Sequence, residues 1–278
     1  MKRRDFLAGL LFLPALARAG GPRLDVAASA EQGSLVLGRV ERGATLALDG
    51  APLRLAADGR FAFGIAWDRT APAHLDAAFA DGSRAGRDVV PVPRHYEVQR
   101  IDGLPEQTVS PPPEILERIK AEAAEVRAVR AIDGDGAGFL QTFAWPVPGI
   151  VTGVFGSQRF LNGKPTAPHF GIDIAAPAGT PIHAPAAGVV TLAEPDLYLS
   201  GGTTVIDHGH GVSTVYLHQE KLLATAGDRV EPGMEVGLVG ATGRATGPHL
   251  HWGMNWFQMR LDPSRSTVQS ISPFHKNR

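Results

Sequence analysis

Cysteine is absent from the 278-residue chain. Its absence excludes disulfides, thiolate metal sites, a cysteine nucleophile and a lipid-modified N-terminal cysteine. An excess of one charge is missing as well. Lysine and arginine number 27 against 28 aspartates and glutamates, for a net charge of −1, which argues against an electrostatically driven nucleic-acid binder. There is no phosphate-binding Gly-rich loop, no Gly-x-Gly-x-x-Gly after a strand, and no heptad run. Glycine and proline, by contrast, supply 55 of the 278 residues, about a fifth, against roughly 12% in an average protein. Helix interiors tolerate neither residue well, so a mostly helical architecture is excluded. No Gly-X-Y period exists to make collagen, and 44% apolar residues are enough for a packed core rather than wholesale disorder. The length suits about two domains.

Residues 1–19 read as an export signal. Lys2, Arg3 and Arg4 precede an apolar run from Leu7 to Leu16, and Ala17-Arg18-Ala19 fits a small-x-small cleavage site. The run is shorter than the roughly 20 residues of a bilayer span, so no stable membrane anchor is expected after cleavage. Arg3-Arg4-Asp5-Phe6-Leu7 resembles a twin-arginine signal, and a general secretory signal is the alternative. Cleavage removes four cationic residues and Asp5, leaving a net charge of −4. The expected location is the bacterial envelope, in the periplasm.

The fold class expected is mainly β, in three parts. Residues 20–98 hold strand-length segments separated by turns such as Asp49-Gly50 and Asp58-Gly59, the pattern of a small β-sandwich. They loosely resemble bacterial immunoglobulin-like modules. Residues 99–140 form a linker containing one helix over 114–131, with Ile115, Ile119, Ala123 and Val126 at helical spacing after Pro111-Pro112-Pro113. This helix is either a spacer lying on a neighbouring domain or an arm across the active site. Residues 141–270 are β-rich again, with a hairpin of Thr203–His208 and Val212–His218 around Gly209-His210-Gly211.

Ten histidines occur, and two clusters stand out. In His249-Leu250-His251-Trp252-Gly253 a strand places both imidazoles on one face, while Leu250, Trp252, Met254 and Trp256 take the other. In His169-Phe170-Gly171-Ile172-Asp173, Gly171 and the β-branched isoleucines oppose a helix. A straight strand would separate residues 169 and 173 by about 13 Å, so a bend near Gly171 is expected, or His169 entering from the loop before the strand. Two imidazoles and one carboxylate suit zinc, whose catalytic sites keep three protein ligands and an open position. Hydrolysing an amide also needs proton transfer and oxyanion stabilisation, and His218 and the remaining histidine of the pair are suited to both near pH 7.

Together these residues resemble the LytM/lysostaphin-type zinc metallopeptidases, which cut peptide bonds in bacterial peptidoglycan. The motifs are His-x-x-x-Asp at 169–173, Asp207-His208-Gly209, Tyr216-Leu217-His218 and His249-Leu250-His251-Trp252-Gly253, and the resemblance covers roughly residues 145–265. It implies that His169, Asp173 and His251 bind one Zn2+, that His218 and His249 are the catalytic histidines, and that the fold is an antiparallel β-sheet groove walled by loops. The spacing alone does not choose between His249 and His251 as ligand. Gly156 to Pro165 would be one wall, bringing Arg159 and Asn162 near substrate. The implied partners are peptidoglycan peptides, in cross-links or stems. With no wall-targeting domain legible at the N-terminus, a D-Ala–diaminopimelate cross-link fits better than a Gly-Gly bridge. Some relatives lack zinc ligands and activate cell-wall amidases without catalysis, which makes a regulator the alternative reading. A zinc-dependent binding module for wall peptides is a third. His208 and His210 flank the hairpin turn and are read as structural. His183 and His275 show no partner pattern.

Overall fold

The computed structural model describes residues 22–103 and 112–267. The export signal at 1–19, part of the linker and His275 lie outside the described residues. The first part comprises β1 (Leu24–Val26), β2 (Ser29–Glu31), β3 (Leu35–Val40), β4 (Thr45–Leu48), β5 (Ala51–Pro52), β6 (Arg60–Gly64), β7 (Ala73–Ala78) and β8 (Arg84–Val92). They form one sheet of order β1-β3-β6 and another of order β2-β8-β7-β4-β5. Alternating residues of both sheets, among them Val36, Phe61, Phe63, Leu46, Leu75 and Val89, meet in one buried core. Two sheets sharing a core make a β-sandwich.

Residues 99–101 differ from the expected linker. They belong to β9 (Val98–Ile101), which pairs in parallel with β11 (Gln158–Leu161), and β11 in turn pairs with β12 (Lys164–Pro165). The chain leaving the sandwich is therefore stitched into the wall hairpin, whose tip Asn162-Gly163 has positive φ at both positions, as a tight hairpin turn requires.

Helix α1 (Pro113–Arg130) begins one residue earlier than expected, at a proline whose missing N–H is harmless in a first turn. Among the described residues it is the only α-helix, and no helix of those residues is long and apolar enough to cross a membrane.

The remaining strands are β10 (Ile150–Gly153), β13 (Ile172–Ala175), β14 (Pro181–His183), β15 (Gly188–Leu197), β16 (Gly201–Gly209), β17 (Val212–Leu222), β18 (Arg229–Val230), β19 (Glu235–Val239), β20 (His249–Trp256) and β21 (Met259–Leu261). They form an antiparallel sheet along the path β10-β13-β20-β17-β16-β15-β18, with β14, β19 and β21 attached at its sides. The β16–β17 hairpin turns at His210-Gly211, both with positive φ. Alternation splits β20 cleanly. Leu250 and Trp252 enter one buried cluster with Ile172, Ile174 and Tyr216. Met254 enters another with Ala62 of the sandwich, Phe139, Phe143 and Leu261.

The opposite face of the sheet is the one that carries His249 and His251. Val126 and Val129 of α1, together with Leu217, pack there against Leu192, Leu197, Val205 and Val215. Val215 and Leu217 pair directly with Gly253 and His251, and directly paired residues share a face. The helix thus lies on the histidine-bearing face as one side of a groove. Arg118 pairs with Glu122 at 2.6 Å and with Asp196 at 3.2 Å, and Glu122 also accepts from the Tyr198 backbone N–H.

Candidate metal centre and groove

The centre is built on one cross-strand pair. Asp173 on β13 stands opposite His251 on β20, which brings their side chains together on the groove face. His169 joins from the loop before β13, with its backbone held by two hydrogen bonds, to Ser157 O and from Gly156 N. Its Nε2 lies 2.9 Å from Asp173 Oδ1 and 3.0 Å from His251 Nδ1, while His251 Nδ1 is 2.9 Å from the same carboxylate oxygen. The loop entry and the bend at Gly171 replace the 13 Å separation of a straight strand.

Glycines make the room. A Cβ at Gly171 would stand 2.4 Å from His251 Nε2, and one at Gly153 would stand 2.4 Å from Asp173 Oδ2. His169 Nδ1 lies 3.1 Å from Val154 O, so it carries the proton and leaves the Nε2 lone pair facing the cluster. Two nitrogens and a carboxylate oxygen converging at 2.9–3.0 Å suit a small divalent cation. Tetrahedral zinc with bonds of 2.0–2.1 Å has ligand–ligand edges of about 3.3 Å. The donor set therefore fits zinc, and the three residues form the only group of this kind found among the described residues. Burial pushes the Asp173 carboxyl up, but its contacts with His169 and His251 outweigh that and hold the carboxyl well below the usual range. It is a carboxylate at any working pH.

Two further imidazoles stand beside the trio. His218 and His249 have ring centroids 4.8 Å apart, and His249 Nε2 is 3.9 Å from Asp173 Oδ1. Each donates Nδ1–H to a carbonyl, His218 to Thr242 O and His249 to Gly247 O, both at 2.8 Å. That leaves Nε2 of each with its lone pair free of the backbone. Burial, joined by the neighbouring histidines, lowers His218 to about 4. His218 reaches this face through a bulge. Tyr216 pairs with Thr204 and Gln219 with Gly202, so two residues of β17 oppose Thr203 alone, and His218 sits at φ 65°. Such a conformation costs about 1–3 kcal/mol in a non-glycine residue and re-aims the side chain.

The trio and the two imidazoles line a groove of ≈ 880 Å³, with Leu161, Thr166 and Pro168 on the wall side and Val126 on the helix side. The wall expected at 156–165 is therefore present. Asn162 occupies its tip and is not among the lining residues. Arg159 is placed by its backbone alone, opposite Gln99. Sequence reasoning missed three arginines that line the groove, Arg100, Arg244 and Arg260. None lies in a motif, and only the fold brings them together.

The other histidines are placed away from the centre. His208 is fully buried, its Nδ1 2.8 Å from Ala187 O and its Nε2 2.8 Å from Thr214 Oγ1. His210 stacks on Phe139. His183 Nδ1 is 3.4 Å from Pro146 O.

The sandwich braces the loop that bears His169. Trp67 meets both Tyr96 and Phe170 edge-on, and the Tyr96 hydroxyl donates to Trp67 O. The Tyr96 ring also covers Gly156, where a Cβ would clash.

Residues 167–263 match the model of peptidase family M23. Over 85% of its length the chain is also similar to 95% of a crystal structure from Pseudomonas aeruginosa assigned to the same family, with 30% identity and a TM-score of 0.65. The chain belongs to peptidase family M23. Among curated relatives, this M23 chain is 46% identical over 89 residues to the peptidoglycan DD-endopeptidase ShyA of Vibrio cholerae, covering 32% of this chain and 20% of that protein. It is 46% identical over 85 residues to the DD-carboxypeptidase/endopeptidase Mpg of Neisseria meningitidis, covering 30% of this chain and 19% of that protein. The matched segment is thus about a fifth of the length of these M23 relatives.

Proposed function

We propose that the chain is an exported, zinc-dependent metalloendopeptidase that hydrolyses peptide bonds in bacterial peptidoglycan, in cross-links or stem peptides. The observation that carries this reading is the convergence of His169, Asp173 and His251 at 2.9–3.0 Å, with His218 and His249 beside them on a groove floor. The names of the M23 relatives support the wall substrate, and the signal-like residues 1–19 support the envelope, with the periplasm as the site of action.

His169, Asp173 and His251 would hold the ion. Zinc bound there supplies a Lewis acid for the scissile carbonyl and for water. His169 is fixed in one tautomer by Val154 O, which orients its ring toward the centre. His218 and His249 each present Nε2 to the groove. Burial keeps His218 neutral at physiological pH, so it is ready to accept a proton. The two rings share the tasks that remain, taking the proton from the attacking water, stabilising the oxyanion and protonating the leaving amine.

The test is digestion of purified peptidoglycan by the chain lacking residues 1–19, with mass spectrometry of the released muropeptides. Chelator-sensitive release of peptide-cleaved products, restored by zinc, is expected. Stimulation of a wall amidase that survives the chelator, with no cleavage by the chain itself, would replace this reading with that of a regulator.

A further inference from the structure

The groove does not end at the histidines. It continues along β20, where His251, Gly253 and Asn255 share the same face, and four residues of strand put Asn255 about 13 Å beyond His251. Arg260 on β21 pairs with Asn255 and lines the groove. Its Nη1 donates to Asn255 Oδ1 at 2.9 Å, and Asn255 Nδ2 donates to Ser213 Oγ at 3.2 Å. Arg130, in the last turn of α1, is 7% exposed, and its Nε donates to Val126 O at 3.1 Å.

Neither guanidinium forms an ion pair with a carboxylate among the described residues. Burial lowers Arg130 to about 10, helped by Arg127, and lowers Arg260 to about 9, helped by the charge of Arg130. A buried cation and a half-buried one that repel each other are costly, and apolar side chains of similar volume would fit such a place more cheaply. An anion entering from the groove would supply the missing counter-charge. The rest of the groove agrees in sign. Arg100 and Arg244 also line it, against the single carboxylate of Asp173, and Asp173 is engaged by His169 and His251.

We propose that Arg260, backed by Arg130, forms a carboxylate-binding subsite at the end of the groove distant from the metal centre, and that the peptides taken carry a free carboxylate roughly two to four residues from the bond cleaved. The span follows from the 13 Å of strand less the reach of an arginine side chain. The inference rests on reading the groove as a peptide-binding cleft. It favours acidic stem peptides over a neutral polyglycine bridge.

The test uses the full chain and a cross-linked muropeptide dimer from diaminopimelate-type peptidoglycan, either native or with its carboxylates amidated. Calorimetry in chelator measures binding without turnover. The wild-type chain should bind the native dimer about ten-fold or more tighter than the amidated one. Arg260→Gln should erase that preference, Arg260→Lys should keep part of it, and Arg130→Gln should reduce it. Arg260→Gln should also raise the Tm of the ligand-free chain, because it removes a half-buried cation that faces Arg130 without a counter-charge. A preference undiminished in Arg260→Gln, or a lowered Tm marking Arg260 as structural, overturns the subsite. If the zinc-loaded chain cleaves neither dimer while the affinity pattern holds, the endopeptidase reading fails and the subsite stands. Cleavage without the affinity pattern gives the reverse.

Discussion

Asp173 Oδ1 lies 2.9 Å from His251 Nδ1, across a directly paired position of the antiparallel β13–β20 ladder. Strand register therefore sets this separation, and the loop carrying His169 only completes the site. Removing either member of the pair should remove the ion and leave the sheet. Asp173→Ala and His251→Ala are each expected to lose more than about 100-fold in zinc affinity, beyond the usual cost of losing a supporting partner. Zinc titration calorimetry, with circular dichroism to verify the fold, measures this.

His218 and His249 should behave differently. Neither is within 3.0 Å of the trio's shared oxygen, and His249 Nε2 is 3.9 Å from it. His218→Ala and His249→Ala should retain stoichiometric zinc while kcat falls roughly 10²–10⁴-fold, the usual span for a lost acid–base group. Metal analysis and muropeptide release on the same preparations separate this from metal loss.

Much of this site is legible in the residue pattern, because period two is enough to put His249 and His251 on one face and Leu250 and Trp252 on the other. Gly171 and its β-branched neighbours likewise argue against a helix at 169–173. The choice between His249 and His251 is not legible from spacing. In the folded register His251 stands opposite Asp173 and His249 opposite Ala175. His218 is hidden for another reason. Alternation from the buried Tyr216 sends it to the core side, and only the bulge at φ 65° returns it to the groove. Arg260 has no local signature at all, since its meaning depends on Arg130, which lies 130 residues away in the sequence. The sandwich is legible as turns and alternation, but β9 is not legible as part of the wall. Its partner β11 follows more than fifty residues later, and non-local parallel pairing leaves no trace in local pattern.

Gly171 offers a test of how closely the centre is packed. A Cβ there would lie 2.4 Å from His251 Nε2 and 2.9 Å from the backbone oxygen of Trp252. The backbone oxygen cannot retreat, so the imidazole must. Gly171→Ala should therefore lower zinc affinity by about 10–100-fold without substituting any ligand, as read by zinc titration of the folded variant.

The sandwich and the groove-bearing sheet are tied by Arg94, whose Nη1 is 2.9 Å from Asp262 Oδ2. Asp262 is 1% exposed, and its other oxygen accepts from Ser264 N and Oγ. Arg94→Met would leave that buried carboxylate with Arg265 Nε, at 3.8 Å, as its remaining cationic partner. Breaking a buried pair from one side costs about 3–5 kcal/mol when the charge left behind is uncompensated, so with Arg265 still nearby the variant should lose roughly 2 kcal/mol in urea unfolding. Arg94→Lys should recover part of that loss.

His208 sets a pH limit on the fold. It donates Nδ1–H to Ala187 O, and its Nε2 accepts from the Thr214 hydroxyl, whose oxygen lies 2.7 Å from the Tyr216 hydroxyl. Protonation would put a second N–H where an acceptor is required. Burial lowers its pKa from 6.5 to about 4, so the unfolded chain binds this proton more readily than the folded one. The stability it contributes is complete above pH 6.5 and is lost as the pH falls toward 4. Between pH 7.5 and 4.5 that loss is roughly 2.5 kcal/mol. In His208→Gln this share should vanish, leaving a flatter stability profile across the interval, while the Asp173–His251 centre is untouched. Urea unfolding of both chains at the two pH values gives the difference directly, and equal pH dependence would show that His208 binds its proton as readily in the folded chain as in the unfolded one.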